Sequence, residues 1–176
     1  MKILGIIGGM SPESTATYYT EINRLVNQKK GGNISAPIVM VSVEFEEIVQ
    51  CQKQSEWQRA GEILAEAGKK LEMIGAEGIV LATNTMHKVA PQIERALSIP
   101  FLHILDATAD AIKSRGLNKV ALLGTKFTMS DNFYRDGLIV RGITPIVPNE
   151  SAQNEIHRII FDELCVGKFL PQSKAF

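Results

Sequence analysis

The chain is 176 residues long, enough for one ordinary domain or two small lobes, and its 45% hydrophobic and 22% charged fractions are those of a folded globular protein. Nineteen basic residues balance nineteen acidic ones, which leaves no basic surface of the kind a nucleic-acid binder needs. No apolar run reaches membrane length, and the opening Met1-Lys2-Ile3-Leu4-Gly5-Ile6-Ile7-Gly8-Gly9 is too short for a secretion signal. The expected partner is therefore a small molecule, with neither nucleic acid nor membrane, in a cytoplasmic protein whose Cys51 and Cys165 stay reduced.

In chain order, residues 2–8 read as an apolar strand ending in Gly8-Gly9. Ser11 is placed to cap a helix over 12–27, with Pro12 at its first position and Glu13 in its first turn. A strand over 37–43 follows, then a short helix over 45–52 and a longer one over 55–74. In the longer helix Ser55 is the expected cap, Leu64, Ala65, Ala67, Leu71 and Ile74 make the apolar stripe, and Gly75 is the stop. A strand over 78–82 leads to the polar turn Thr83-Asn84-Thr85 and a helix reaching 97. Residues 100–104 read as a fourth strand, followed by a helix from Asp106 to Gly116. A fifth strand over 119–123 closes on Gly124-Thr125, and helices over 129–140 and 152–164 flank a strand over 144–147.

Apolar strands alternating with helices predict an α/β protein with parallel sheets covered by helices on both faces. Lys2 and Lys119 each start a strand that ends in a glycine turn and leads to a helix. This faint repeat suggests two pseudo-symmetric lobes, 1–104 and 105–176, with the site between them. The first lobe has four predicted strands and the second only two, so the second lobe is expected to be incomplete. Ser173-Lys174-Ala175-Phe176 reads as the opening of a helix, which suggests C-terminal truncation, a natural short form being the alternative.

Ligands of open parallel sheets bind beyond the carboxyl ends of the strands, and three such ends carry small polar residues. Gly8-Gly9-Met10-Ser11 precedes a helix N-terminus and suits an anion, although a tight turn needs the same glycines. Gly5-x-x-Gly8-Gly9 is not a GxGxxG dinucleotide motif. Thr83-Asn84-Thr85-Met86-His87 offers hydroxyls and an amide, which serve equally as helix caps, with His87 a partly exposed first-turn residue. Gly124-Thr125-Lys126-Phe127-Thr128 is a polar loop without P-loop spacing. His87, His103 and His157 show no metal-ligand spacing, and His103 reads as a core or strand-end residue. No Gly-x-Ser-x-Gly elbow is present. Both cysteines read as small buried apolar groups, and Glu46-Glu47 and the acidic residues of 62–72 as solvated helix faces.

In order and spacing, Gly8-Gly9-Met10-Ser11-Pro12-Glu13-Ser14, Asn84-Thr85-Met86-His87 and Gly124-Thr125-x-x-Thr128 resemble the aspartate/glutamate racemase family over the whole chain. The likeness is nearest to its Cys/Thr type of amino-acid racemase. The resemblance implies an isomerase that uses neither pyridoxal phosphate nor any other cofactor or metal, forms a homodimer, and acts on aspartate or glutamate. Two residues on opposite faces of the substrate would exchange its α-proton, and in most members both are cysteines, whose pKa is readily lowered. Thr83 stands at the first of these positions; a hydroxyl is a poorer base than a thiolate, which implies unequal racemisation in the two directions. The second cysteine belongs to a Gly-Cys-Thr motif that these residues lack, and Cys165, between Leu164 and Val166, does not replace it. The resemblance therefore implies a 176-residue chain that is inactive by itself. Carried over as substrate contacts are Met10, Gln52, Asn84 and Thr85, with Thr125 and Thr128 facing them from the second lobe. Two other readings remain open: a relative of the maleate isomerase or malonate decarboxylase type, and a module that binds an acidic amino acid without turning it over.

Overall fold

The computed structural model describes residues 1–176, which divide into two compact units, Met1–His103 and Ile104–Phe176. In the first, β1 (Leu4–Gly8) is the centre of a parallel sheet of order β2-β1-β3, with β2 at Ile38–Ser42 and β3 at Gly78–Leu81. Leu4 lies opposite both Ile38 and Gly78, and Ile7 opposite both Val41 and Leu81. The strands therefore end level, which brings the turns after β1 and β3 to the same end of the sheet.

Helix α1 (Pro12–Lys30) follows β1, and α2 (Phe45–Lys53) and α3 (Trp57–Met73) lie between β2 and β3. Along α3, Ala60, Leu64, Ala67 and Leu71 recur at helical spacing and are buried. They share one core with Ile7, Ile48, Ile79, Leu81, Met86 and Ile93. Each large side chain fully buried here contributes about 1.5–3 kcal/mol of transfer free energy, so this face holds the first unit together.

Four expectations for this unit need correction. Ser55 does not cap α3: it has φ 59°, and Glu56 N–H bonds the Cys51 carbonyl at 2.8 Å, so Ser55 is the left-handed stop of α2. Ile74 falls one residue past α3 and is 59% exposed, outside the stripe. The helix expected after the Thr83 turn is two pieces, a 3-10 turn over Thr85–Val89 and α4 (Ala90–Ala96). The fourth strand shrinks to one parallel bridge between Ile79 and Phe101. Pro100 has no N–H to give a ladder, and α5 already begins at Ile104, so His103 lies outside any strand.

In the second unit α5 (Ile104–Lys113) leads to β4 (Lys119–Ala121), which pairs in parallel with β5 (Thr144–Ile146). Its core gathers Leu105, Ala109, Leu122, Tyr134, Leu138 and Ile143. The single helix expected over 129–140 is α6 (Lys126–Ser130) and α7 (Asn132–Ile139). Asp131 divides them, because its carboxylate accepts from Phe133 N–H at 3.1 Å and caps α7. Asn149 likewise starts α8 (Glu150–Asp162) earlier than expected; a 3-10 turn over Leu164–Val166 and α9 (Pro171–Ala175) follow. Cys51 is buried as expected, whereas Cys165 is partly exposed, and no disulfide joins them. No helix is long and apolar enough to cross a membrane.

Candidate functional site

The turn after β1 is held by its own side chains. Thr15 Oγ1 accepts the Gly9 N–H at 2.8 Å and donates to the Ser11 carbonyl at 2.9 Å, while Ser11 Oγ accepts from Ser14 N–H at 3.4 Å as the N-cap of α1. Two glycines are required here. A Cβ on Gly8 would strike Thr15 Cγ2 and come within 2.9 Å of Oγ1, and Gly9 sits at φ 95°. Gly8→Ala is therefore expected to displace the hydroxyl that holds the loop and to cost about 1–3 kcal/mol, read as a lower urea midpoint. Met10, next in the loop, is 5% exposed and belongs to the core cluster.

The turn after β3 is tied to this loop. Ala82 N–H still bonds the Ile7 carbonyl at 2.9 Å, and Ser14 Oγ donates to the Ala82 carbonyl at 2.6 Å. Thr83 N–H turns back to the Leu81 carbonyl at 2.9 Å. Thr83 is partly exposed and Asn84 exposed, whereas Thr85, Met86 and His87 are buried. The expectation of a partly exposed His87 is thus overturned: the ring is 2% exposed, and its Nδ1 lies 2.8 Å from the Thr83 carbonyl oxygen. Burial, with His103 beside it, lowers its pKa to about 4.

Gln52 reaches this turn from α2. Its Nε2 donates to Met86 Sδ at 3.0 Å, and its Oε1 is buried without a hydrogen-bond partner. The first unit therefore collects Met10, Gln52, Thr83, Asn84 and Thr85 around the level strand ends. Thr125 and Thr128 meet one another in the second unit, where Thr125 caps α6 and their hydroxyls lie 3.3 Å apart. Sequence reading missed Ser14 and His87 as supports of the Thr83 turn; the only signal was that both fall inside the motifs. Cys51 is poorly suited to proton transfer, since burial, then Glu56 and Glu47, raise its thiol pKa. No group of three or more His, Cys, Asp or Glu side chains is assembled that could hold a metal ion.

This arrangement has close parallels. The protein shares 49% identity with the crystal structure of a proposed Asp/Glu racemase from Yersinia pestis, at a TM-score of 0.90, covering 99% of this chain and 76% of that one. PH1733, an aspartate racemase homologue from Pyrococcus horikoshii OT3, matches at 40% identity and a TM-score of 0.80, over 96% of this chain and 74% of that one. The broad specificity amino-acid racemase RacX of Bacillus subtilis (strain 168) is 25% identical over 160 residues, 90% of this chain and 69% of that protein. The profile of the Asp/Glu/Hydantoin racemase family matches residues 7–175, and with the parallel α/β fold and the strand-end turns it shows that this chain belongs to the Asp/Glu/hydantoin racemase family of racemases.

Proposed function

We propose that this chain carries the Thr83 side of an amino-acid racemase that acts on aspartate or glutamate by two-base proton transfer, without a cofactor. The observation that supports the reading most is Gln52 Oε1, a buried carbonyl acceptor with no partner beside the Thr83 turn. Leaving such a group unpaired costs about 1–3 kcal/mol, a cost that a ligand ammonium group would relieve. Met10, Asn84 and Thr85 would complete the contacts of the first unit, and Thr125 and Thr128 are the further substrate contacts that the family likeness implies.

In the proposed reaction a base on one face removes the α-proton, the electron pair is delocalised into the substrate carboxylate, and an acid on the other face returns a proton. A neutral threonine hydroxyl gives a proton to a carbanion far more readily than it takes one from carbon near neutral pH. Thr83 is therefore the donor, and the residue opposite must be the base. Residues 1–176 contain no Gly-Cys-Thr segment to supply that base, so by themselves they bind the substrate and do not racemise it. The homodimer that the family likeness implies belongs to the same proposal.

Calorimetric titration with both enantiomers of aspartate and glutamate, and with succinate, tests the binding half. At least one amino acid binds more tightly than succinate, which lacks the ammonium group; equal binding, or none, contradicts the assignment. Gln52→Leu is expected to lower the amino-acid affinity about tenfold while leaving stability unchanged or slightly raised, because it removes an unpaired buried acceptor.

A further inference from the structure

We propose that Ser14 and His87 form a two-point clamp on the carbonyls of Ala82 and Thr83, and that both are positioning residues for the Thr83 hydroxyl and the turn that follows it. The proposal rests on the reading of Thr83 as the proton donor. β3 ends at Leu81, so the next two carbonyls have left the strand. They have not yet entered a helix either: the 3-10 turn begins at Thr85, and His87 N–H bonds the Asn84 carbonyl at 3.1 Å rather than that of Thr83. Two backbone acceptors at the reacting position are therefore met by side chains from two different elements. Ser14, in the first turn of α1, donates to one at 2.6 Å, and His87, in the 3-10 turn, contacts the other at 2.8 Å.

A carbonyl oxygen only accepts, so His87 Nδ1 must carry the proton in this contact. A neutral ring in that tautomer has no proton on Nε2. The ring has little room to turn, because its centroid lies 4.8 Å from that of His103, edge-on, and 5.7 Å from that of Phe101. Ser14 is equally anchored, since its N–H bonds the Ser11 cap. Both carbonyls flanking the Thr83 N–Cα–C unit are thus fixed from outside the turn, which sets where its side chain begins. Errors of about 1 Å in the position of a reacting group cost on the order of a hundredfold in rate, so such fixing has a functional consequence.

The test uses the 176-residue chain without catalysis. Nitrogen-15 NMR of the ligand-free protein reads the His87 tautomer directly, and is expected to show a protonated Nδ1 and a bare Nε2. Three variants are then compared by the Thr83 and Asn84 amide resonances and by affinity for the acidic amino acid that binds wild type. Ser14→Ala and His87→Phe each remove one donor and are expected to shift those resonances and weaken affinity about tenfold. His87→Asn keeps an N–H near the Nδ1 position and is expected to stay within about threefold of wild type. An Nε2–H tautomer overturns the clamp, as do Ser14→Ala and His87→Phe variants with unmoved resonances, or a His87→Asn variant as weak as His87→Phe. Should wild type bind no acidic amino acid, the substrate reading fails instead, and the tautomer and resonances alone decide the clamp.

Discussion

Met86→Ala is expected to destabilise the first unit by about 2–5 kcal/mol and to weaken acidic amino-acid binding at the same time. Met86 is fully buried within the core cluster, so its truncation leaves a cavity among Ile7, Leu81 and their neighbours. It is also the sulfur acceptor that orients the Gln52 amide at 3.0 Å. Met86→Leu separates the two effects. Leucine restores most of the volume and should cost less than about 1.5 kcal/mol, yet it offers Gln52 no acceptor. A Met86→Leu protein with a near-native urea midpoint and about tenfold weaker binding is the expected result. Full affinity in that variant would show that the sulfur does not orient the amide.

The second large effect is on pH. His87 titrates at about 4 in the folded protein, against 6.5 for an unperturbed histidine. Between these values the unfolded chain binds more protons than the folded one, so acidification favours unfolding. The contribution of His87 is complete above about pH 6.5, declines as the pH falls towards 4, and levels off below that. The total loss is on the order of 3 kcal/mol, from a shift worth about 1.4 kcal/mol per unit. His157, also lowered by burial and by Lys126, acts in the same direction from a more open position. Urea midpoints measured from pH 7.5 to pH 4 should therefore fall steeply in wild type and much less in His87→Phe. Parallel curves for the two proteins would remove His87 as the cause.

The architecture was legible because its signals are local and repeated. The apolar run at Ile6-Ile7, the Ser11-Pro12 start and the stripe through Leu64 and Leu71 each name one element unambiguously. Ser55 was misread because serine suits an N-cap, and nothing in the sequence reveals that its backbone turns left-handed to stop the previous helix. The fourth strand failed for a related reason: Pro100 marks a strand start as easily as it forbids the ladder, and only the early onset of α5 decides between them. Within the site, motif residues could be placed at strand ends, but their division of labour is tertiary. Ser14 meets Ala82 across 68 positions of sequence, and Gln52 meets Met86 across 34, so neither contact has a spacing to read. His87 bonds only four residues away, yet its burial depends on Phe101 and His103, which belong to a later segment.

The decisive measurement is hydrogen exchange at the α-carbon of both enantiomers of aspartate and glutamate in heavy water, followed by proton NMR. It is made on residues 1–176, and on the same residues continued by an added segment that carries Gly-Cys-Thr. The 176-residue chain should bind without exchange. The continued chain should exchange and racemise one acidic amino acid, faster in one direction, and should lose racemisation on Thr83→Ala. Binding without exchange in both forms would contradict the racemase assignment and leave a protein that only holds its amino acid.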